Sequence, residues 1–321
     1  MCSSDLQMAT YQTYTAIGQR EDLSDVIYNI SPTETPFMSS VGKSKATAVY
    51  HEWQTDSLAS VNTSNYAVEG DTASDATMSP TTRIGNRTQI SQKTVKISGT
   101  LEAVNKAGRK SEKAYQLAKA SAEIKRDMEA ILLSNQAAAS GNSTVARKLG
   151  GLQTWLSSNY SGGTNGTAGS GGTTARVTGT DRSFTATLLN TVMQSAYTNG
   201  GSPTMLLVTP AQKVVASTFT GIATRYRDVP ANQQAQIINA ADVYVSDFGI
   251  IQIVPDRFIP NADNDDTAFL LDTEMAAVAY LRPFQTVELA KTGDAELTQL
   301  LVEYTLEVKN EAAHGIISDL T

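Results

Sequence analysis

The sequence predicts an α+β fold organised around one long helix. Residues 111–139 contain neither Gly nor Pro and consist mainly of strong helix formers, which favours a helix before any packing is considered. Residues 300–309 alternate apolar and polar side chains, a pattern typical of a strand with one buried and one solvated face. Between residues 183 and 285 helical and strand patterns follow one another, which indicates an α/β unit.

The long helix is predicted to begin near Ser111 and to end near Ser140, where Gly141 supplies a C-terminal stop signal. At 1.5 Å per residue it would span on the order of 40 Å. Its apolar face is formed by Leu117, Ile124, Met128 and Ile131. We expect this face to pack on the final strand. The residues expected to face solvent or a neighbouring subunit are Lys119, Glu123 and Arg126.

Composition bounds the class of protein. The chain has 321 residues with 40% hydrophobic content, enough for one or two domains with a sizeable core. Its net charge of −7 argues against a dedicated nucleic-acid binder. Cys2 is the only cysteine, which excludes a disulfide framework. Neither a run of about eighteen apolar residues nor a signal-peptide pattern occurs, so we expect no membrane partner and assembly in a reducing cytoplasm.

The N-terminal third is predicted to lack a core of its own. Residues 1–46 are polar, and Pro32 and Pro36 favour extended chain, so this arm needs a partner to become ordered. Residues 49–53 and 87–97 are predicted to form the ascending and return strands of an extended loop. Nearly thirty polar residues lie between them, too many for an ordinary hairpin. A loop of that length is expected to lie against a neighbouring chain.

The middle of the chain is predicted to form a flexible loop followed by the α/β unit. Residues 161–174 are almost entirely Gly, Ser, Thr, Asn and Ala, which predicts a flexible surface loop. A helix is predicted from Ser183 to Asn199, a strand over 205–208 and a helix starting at Pro210. Further strands are predicted over 243–248, 250–254 and 268–271.

No motif in the sequence predicts catalysis, a cofactor or a metal site. The only histidines are His51 and His314, too few for a multi-histidine site. The Glu-x-x-His spacing that ends at His314 occurs once, whereas carboxylate-bridged iron sites need two copies. Asp263, Asp265 and Glu274 match part of a calcium-loop register, but that register lacks its glycine. A solvated acidic turn is the favoured interpretation.

The order of these elements resembles that of tailed-phage major capsid proteins, which have the Hong Kong ninety-seven fold. Several stretches are also similar to one branch of these head proteins. They are residues 31–37, 95–100, 114–118, 244–249, 281–286, 289–294 and 301–308. The resemblance is distributed over essentially the whole chain after Met8 rather than resting on one motif.

The resemblance implies a phage capsid fold with four parts. Residues 1–46 would be the N-terminal arm and 47–98 the extended β loop. Residues 99–182 and 286–321 would form the peripheral domain, with the long helix as its spine. Residues 183–285 would form the axial α/β domain.

The resemblance also implies a structural function without bond-making chemistry. The chain would self-assemble, as hexamers and pentamers, into the icosahedral head of a tailed double-stranded DNA phage. The implied partners are portal, scaffold or decoration proteins and, through non-specific contact, packaged DNA. The protein would belong to the virion and assemble in the bacterial host cytoplasm.

Six residues are candidates for subunit contacts: Trp53, Arg83, Arg87, Arg225, Tyr226 and Arg227. Trp53 could instead be a core residue at the base of the loop. The cluster 225–227 could also stack on nucleic acid. No lysine occurs between His51 and Gln92, so we expect no isopeptide cross-link from the loop.

Two alternatives remain at this stage. One keeps the fold but encloses protein cargo, as an encapsulin does. The other is an α/β enzyme that acts on a polar substrate and uses the long loop as a lid.

Overall fold

The computed structural model describes residues 31–70, 72, 75, 78–104, 108, 110–219, 242–260, 266–291 and 293–321. Its helices within these ranges are α1 (Pro36–Ser40), α2 (Gly99–Ala103), α3 (Glu112–Leu132), α4 (Ala186–Thr198) and α5 (Pro210–Ala216). The first strands are β1 (Gly42–Lys45), β2 (Tyr50–Thr55), β3 (Thr82–Arg87), β4 (Gln89–Ser98), β5 (Tyr160–Ser161) and β6 (Met205–Val208). The later strands are β7 (Val243–Ser246), β8 (Gly249–Pro255), β9 (Asp266–Leu271), β10 (Ala276–Glu288), β11 (Ala295–Val308) and β12 (Gly315–Leu320).

A four-stranded sheet with the order β1-β10-β11-β4 packs against α3. β1 runs parallel to β10, and the other neighbours are antiparallel. β11 lies at the centre and pairs with β4 from Ala295↔Ser98 to Tyr304↔Gln89. One face of β11, including Val302 and Tyr304, shares a hydrophobic core with Met128 of α3.

The helix α3 is shorter than predicted. Ser111 caps its N-terminus by accepting a hydrogen bond from the Ala114 amide at 3.2 Å. It ends at Leu132, so its 21 residues span about 32 Å. The chain that follows exchanges backbone hydrogen bonds with residues 148, 151 and 172. Those tertiary bonds use the groups that another helical turn would need, and they override the helix propensity of 137–139.

The buried stripe of α3 is formed by Ala120, Ile124, Met128 and Leu132, at a four-residue spacing. Ile131 is half-buried and packs against this core, whereas Leu117 is half-buried and lies outside it. Of the residues predicted to face solvent or a neighbouring subunit, Lys119 is exposed, whereas Glu123 and Arg126 are half-buried. The Glu123 carboxylate binds Lys93 of β4 at 2.9 Å, and the Arg126 guanidinium lies over the Phe258 ring.

The second face of β11 is buried, which contradicts the prediction of a solvated face. Glu303 is 4% exposed and Thr305 is fully buried. The Thr305 hydroxyl donates to the Arg87 carbonyl at 2.8 Å, so the end of β3 covers this face. The alternation of β11 therefore separates an apolar face from a polar face, and both lie inside the protein.

The extended loop returns through β3 and not through residues 87–97. β2 pairs with β3 from Tyr50↔Arg87 to Thr55↔Thr82 and forms a separate two-stranded sheet. Thr88 is buried and separates β3 from β4, which joins the four-stranded sheet. The prediction merged two strands because a single polar residue between them gives no turn signal.

A six-stranded sheet with the order β5-β12-β9-β6-β8-β7 forms the second layer. α4 and α5 pack on it through a second hydrophobic core that includes Leu189, Leu206 and Leu270. β5 and β12 join this sheet although they belong to the intervals predicted as peripheral, 99–182 and 286–321. β10 crosses the boundary predicted at residue 285.

The glycine-rich residues 161–174 are bonded to the body of the protein and do not form an unattached loop. The Asp319 carboxylate accepts hydrogen bonds from the amides of Gly163 at 2.6 Å and Gly179 at 3.0 Å. Gly172 has a φ of +71°, and a Cβ there would lie 2.5 Å from the Trp155 ring. Here glycine permits close packing as well as the turn.

Candidate assembly surfaces

The tip of the extended loop exposes apolar side chains. Between β2 and β3 the chain presents large hydrophobic residues that are 75% to 98% exposed, namely Leu58, Val61, Tyr66, Val68 and Met78. Residues 56–81 also contain four acidic residues and no basic ones: Asp56, Glu69, Asp71 and Asp75. A contiguous segment of this kind is typical of a contact surface rather than a free surface.

The base of the loop is fixed by aromatic and polar contacts. The Trp53 ring lies 5.5 Å from the Trp155 ring and 5.8 Å from the His51 ring, measured between centroids. His51 Nε2 lies 3.2 Å from Glu307 Oε2 on β11. The Asn86 side-chain amide donates to the carbonyls at 150 and 306. These contacts fix the base of the loop to the four-stranded sheet.

Glu303 is the centre of a buried polar cluster beneath this base. Its carboxylate accepts hydrogen bonds from the Thr88 hydroxyl at 2.9 Å and from Arg282 Nε at 2.7 Å. Arg147 donates to the same carboxylate through Nη2 and to the Thr88 carbonyl through Nε. One carboxylate therefore joins β11, β10, the residue that follows the loop and the segment that follows α3.

The predicted contact residues occupy different environments. Trp53 is half-buried and packs against the core of its own chain at the base of the loop. This is the position expected if Trp53 is a core residue. Arg83 is 68% exposed and binds Glu52 on the neighbouring strand at 2.9 Å. The Arg87 guanidinium lies 5.2 Å from the centre of the Tyr50 ring. The cluster Arg225, Tyr226 and Arg227 lies outside the described residues.

Sequence reasoning missed an aromatic surface on the six-stranded layer. Tyr197 of α4 is 58% exposed, and its ring lies 5.4 Å from that of Phe248. Ile250, at the start of β8, is 65% exposed. An open groove of about 460 Å³ lies beside them, between α4 and β7. The hydrophobic periodicity of single segments could not reveal this surface, because α4 and β7 are separated by over forty residues.

A buried pair of carboxyl groups was also missed. Glu129 of α3 is fully buried and Asp256, after β8, is 1% exposed. Burial, together with the adjacent Asp256, raises the pKa of Glu129 to about 8, although the backbone amides that bond to Glu129 lower it. Burial also raises the pKa of Asp256. Isolated acidic residues in a sequence give no signal of such a pair.

His314, which ends the Glu-x-x-His motif, is enclosed by backbone groups. Its Nδ1 accepts a hydrogen bond from the Asp272 amide at 3.2 Å, and Nε2 lies 3.3 Å from the Met275 carbonyl. Burial lowers the pKa of His314, so the ring is neutral and both nitrogens are occupied. Asp263 and Asp265 lie outside the described residues. Within the described residues no group of three or more His, Cys, Asp or Glu side chains is placed to hold a metal ion.

None of the described helices is long and apolar enough to cross a membrane.

The family model of the SU10 major capsid protein matches residues 8–321. The chain belongs to that family. It is a tailed-phage major capsid protein, a component of the virion shell and not an enzyme. The major capsid protein of Escherichia phage Phieco32 is 28% identical over 348 aligned positions, which cover 96% of each chain.

Solved structures confirm the capsid fold. The cyanophage A-1(L) capsid subunit is 13% identical with a TM-score of 0.67, covering 97% of this chain and 98% of that one. The capsid of the native GTA particle is 12% identical with a TM-score of 0.63, covering 96% and 98%. An encapsulin from Synechococcus elongatus is 12% identical with a TM-score of 0.57, covering 98% and 96%. These likenesses show the fold alone, and the family match decides between phage capsid and encapsulin.

Proposed function

We propose that this capsid protein assembles as hexamers and pentamers in which the extended loop lies on a neighbouring subunit. The supporting observation is the loop tip, where Leu58 is 98% exposed and Val61 is 92% exposed. Ordering such a segment costs conformational entropy that only a partner can offset. A neighbour that covers these side chains removes their apolar area from water.

Under this proposal the two sheets correspond to the two body domains of the subunit. The four-stranded sheet with α3 forms the peripheral domain, and α3 serves as the spine helix. The six-stranded sheet with α4 and α5 forms the axial domain, which meets its copies at the capsomer centre. Trp53, Arg83 and Arg87 lie near the contact at the loop base, and residues 225–227 contribute an axial contact.

We further propose the partners and the place of assembly. The shell forms in the bacterial host cytoplasm around double-stranded DNA, with a portal and with scaffold or decoration proteins. The contact with DNA is non-specific, consistent with a net charge of −7. Particles purified from infected cells should contain nuclease-protected DNA and a portal protein, and cargo protein in place of DNA would contradict this part.

The loop contact can be tested by expressing the protein with Val61→Ser and Tyr66→Ser combined. The parent chain should form closed shells in electron micrographs, whereas the variant should elute as subunits or small oligomers with an unchanged circular dichroism spectrum. The matched control is Val177→Ser, because Val177 is 55% exposed but lies outside the loop. The control should form shells. Shells from the loop variant in parental yield would refute the proposal.

The loop is also predicted to make no covalent bond to its neighbour. An isopeptide bond that starts from a loop lysine would need a lysine between His51 and Gln92, and the sequence has none there. Purified particles should therefore dissociate to a single subunit band on a denaturing gel. A ladder of covalently joined subunits would show that this prediction is wrong.

A further inference from the structure

Positive charge is concentrated in one segment of a chain that is acidic as a whole. Residues 106–126 contain seven basic and two acidic residues, whereas the net charge of the complete chain is −7. Most of this segment belongs to α3, so most of its charges are held on one helix. A basic surface on an otherwise acidic protein indicates an anionic partner.

The acidic residues of α3 are engaged away from its exposed side. Glu112 and Glu129 are buried. The carboxylates of Glu123 and Asp127 both bind Nζ of Lys93 on β4, at 2.9 Å and 3.2 Å. The negative charges of the helix are therefore either buried or paired with the neighbouring strand, and they leave the exposed side positive.

Three lysines form the basic flank of this segment: Lys110, Lys119 and Lys125. All three are exposed, and within the part of the chain that the structure describes none of them forms an ion pair. By contrast, the Lys113 ammonium binds two glutamates, one on β10 and one on β11. With a rise of 1.5 Å per residue the flank is about 20 Å long, a length over which DNA presents about six phosphates on each strand.

The basic flank and the extended loop lie on opposite sides of the four-stranded sheet. Val302, on one face of β11, shares a hydrophobic core with α3. On the other face, Thr305 bonds to the end of β3 and Glu307 lies 3.2 Å from His51 of β2. Successive side chains of a strand point to opposite faces, so the sheet separates the helix from the loop. A loop that reaches a neighbouring copy therefore leaves from the side opposite to the lysines.

We propose that the basic flank faces the interior of the shell and binds the phosphate backbone of packaged double-stranded DNA. The inference rests on the proposed assembly around DNA and deepens it by naming the surface that meets the DNA. The other anionic candidate is the acidic loop tip of a neighbouring copy, and the position of the loop across the sheet disfavours it. Lysine contacts to phosphate carry no base specificity, in agreement with non-specific DNA contact.

The DNA contact is tested with unassembled subunits and a fluorescent duplex of about 20 base pairs, by anisotropy between about 20 and 200 mM salt. Lys110, Lys119 and Lys125 are replaced together by glutamine. Each phosphate contact contributes about 0.9 to the slope of log affinity against log salt concentration. The variant should therefore bind more weakly, with a slope reduced by up to about 2.7.

The matched control replaces Lys43, Lys45 and Lys96 by glutamine. These lysines are exposed on β1 and β4, and their loss changes the net charge by the same amount. The control should keep the parental slope. Equal slopes for the parent and the flank variant, equal reductions in the two variants, or no DNA binding by the parent would overturn the proposal.

The interior position is tested by labelling amines on assembled shells and locating the labels by mass spectrometry. A small reagent that passes through the shell should label Lys119 and Lys125 in intact shells. The same reagent attached to a polymer too large to enter should label them only after disassembly. Polymer labelling of intact shells, or failure of the small reagent to label them, would refute the interior position. Neither test needs packaged DNA, so particles that lack DNA would contradict the proposed function alone.

Discussion

Replacing Glu303 with glutamine should destabilise the subunit through the base of the extended loop. The side chain of Glu303 is 5% exposed, while its partners Arg147 and Arg282 are 23% and 43% exposed. A charge-assisted hydrogen bond to a buried group contributes about 1.5–3 kcal/mol, which applies to Arg147. Arg282 is half in solvent, and its share is at most about 1 kcal/mol. The expected total for Glu303→Gln is about 1.5–4 kcal/mol.

The free energy of unfolding of the unassembled subunit, measured in urea, provides the assay. The chain contains two tryptophans, and both lie at the loop base, so their fluorescence reports on this region. The matched control is Glu288→Gln, because the Glu288 carboxylate binds Lys113 at 2.9 Å with its side chain 78% exposed. That exposed pair should contribute little to stability, because solvent screens it. Equal losses for both variants would refute the assignment of Glu303 as the group that joins these segments.

Three further predictions use the same urea measurement. Met128→Ala should lower the free energy of unfolding by about 2–5 kcal/mol, because Met128 is fully buried. Leu117→Ala should lower it by less than about 1 kcal/mol, because Leu117 is only half-buried. The reverse order would contradict the core described for α3. Burial lowers the pKa of His314, so the unfolded chain binds a proton that the folded chain does not, and stability should fall below about pH 6.5. His314→Gln should reduce this dependence of stability on pH. Parallel pH profiles of the parent and the variant would contradict the prediction. Gly172→Ala should destabilise more than Gly171→Ala, because both have positive φ but only position 172 lacks space for a Cβ.

The structure shows where local sequence patterns suffice to predict the fold. The helix predicted over 183–199 is found at Ala186–Thr198, because its cap, its apolar period and its glycine stop all lie within one segment. The strand predicted over 268–271 is found within β9 for the same reason. Fold class and family were predictable because the evidence for them is spread over many such segments.

Features fixed by distant partners could not be predicted. The end of α3 depends on backbone groups at residues 148, 151 and 172, which no window around Leu132 contains. The buried polar face of β11 has its partners in distant segments, Arg147 and Arg282, and the buried Glu129 has its partners in the amides of α1. A charged residue in a strand or helix pattern is normally assigned to solvent, which is why the face of β11 that carries Glu303 was predicted to be solvated.

The central positions of β11 and β12 have a consequence for synthesis on the ribosome. β11 lies between β10 and β4, and β12 lies between β5 and β9, so each sheet receives an interior strand from the last thirty residues of the chain. β4 and its partner β11 are separated by nearly two hundred residues in the sequence. Pairing between strands so far apart makes folding slow. A prematurely terminated chain therefore lacks an interior strand of each sheet. We expect such an incomplete subunit to be unable to complete either sheet.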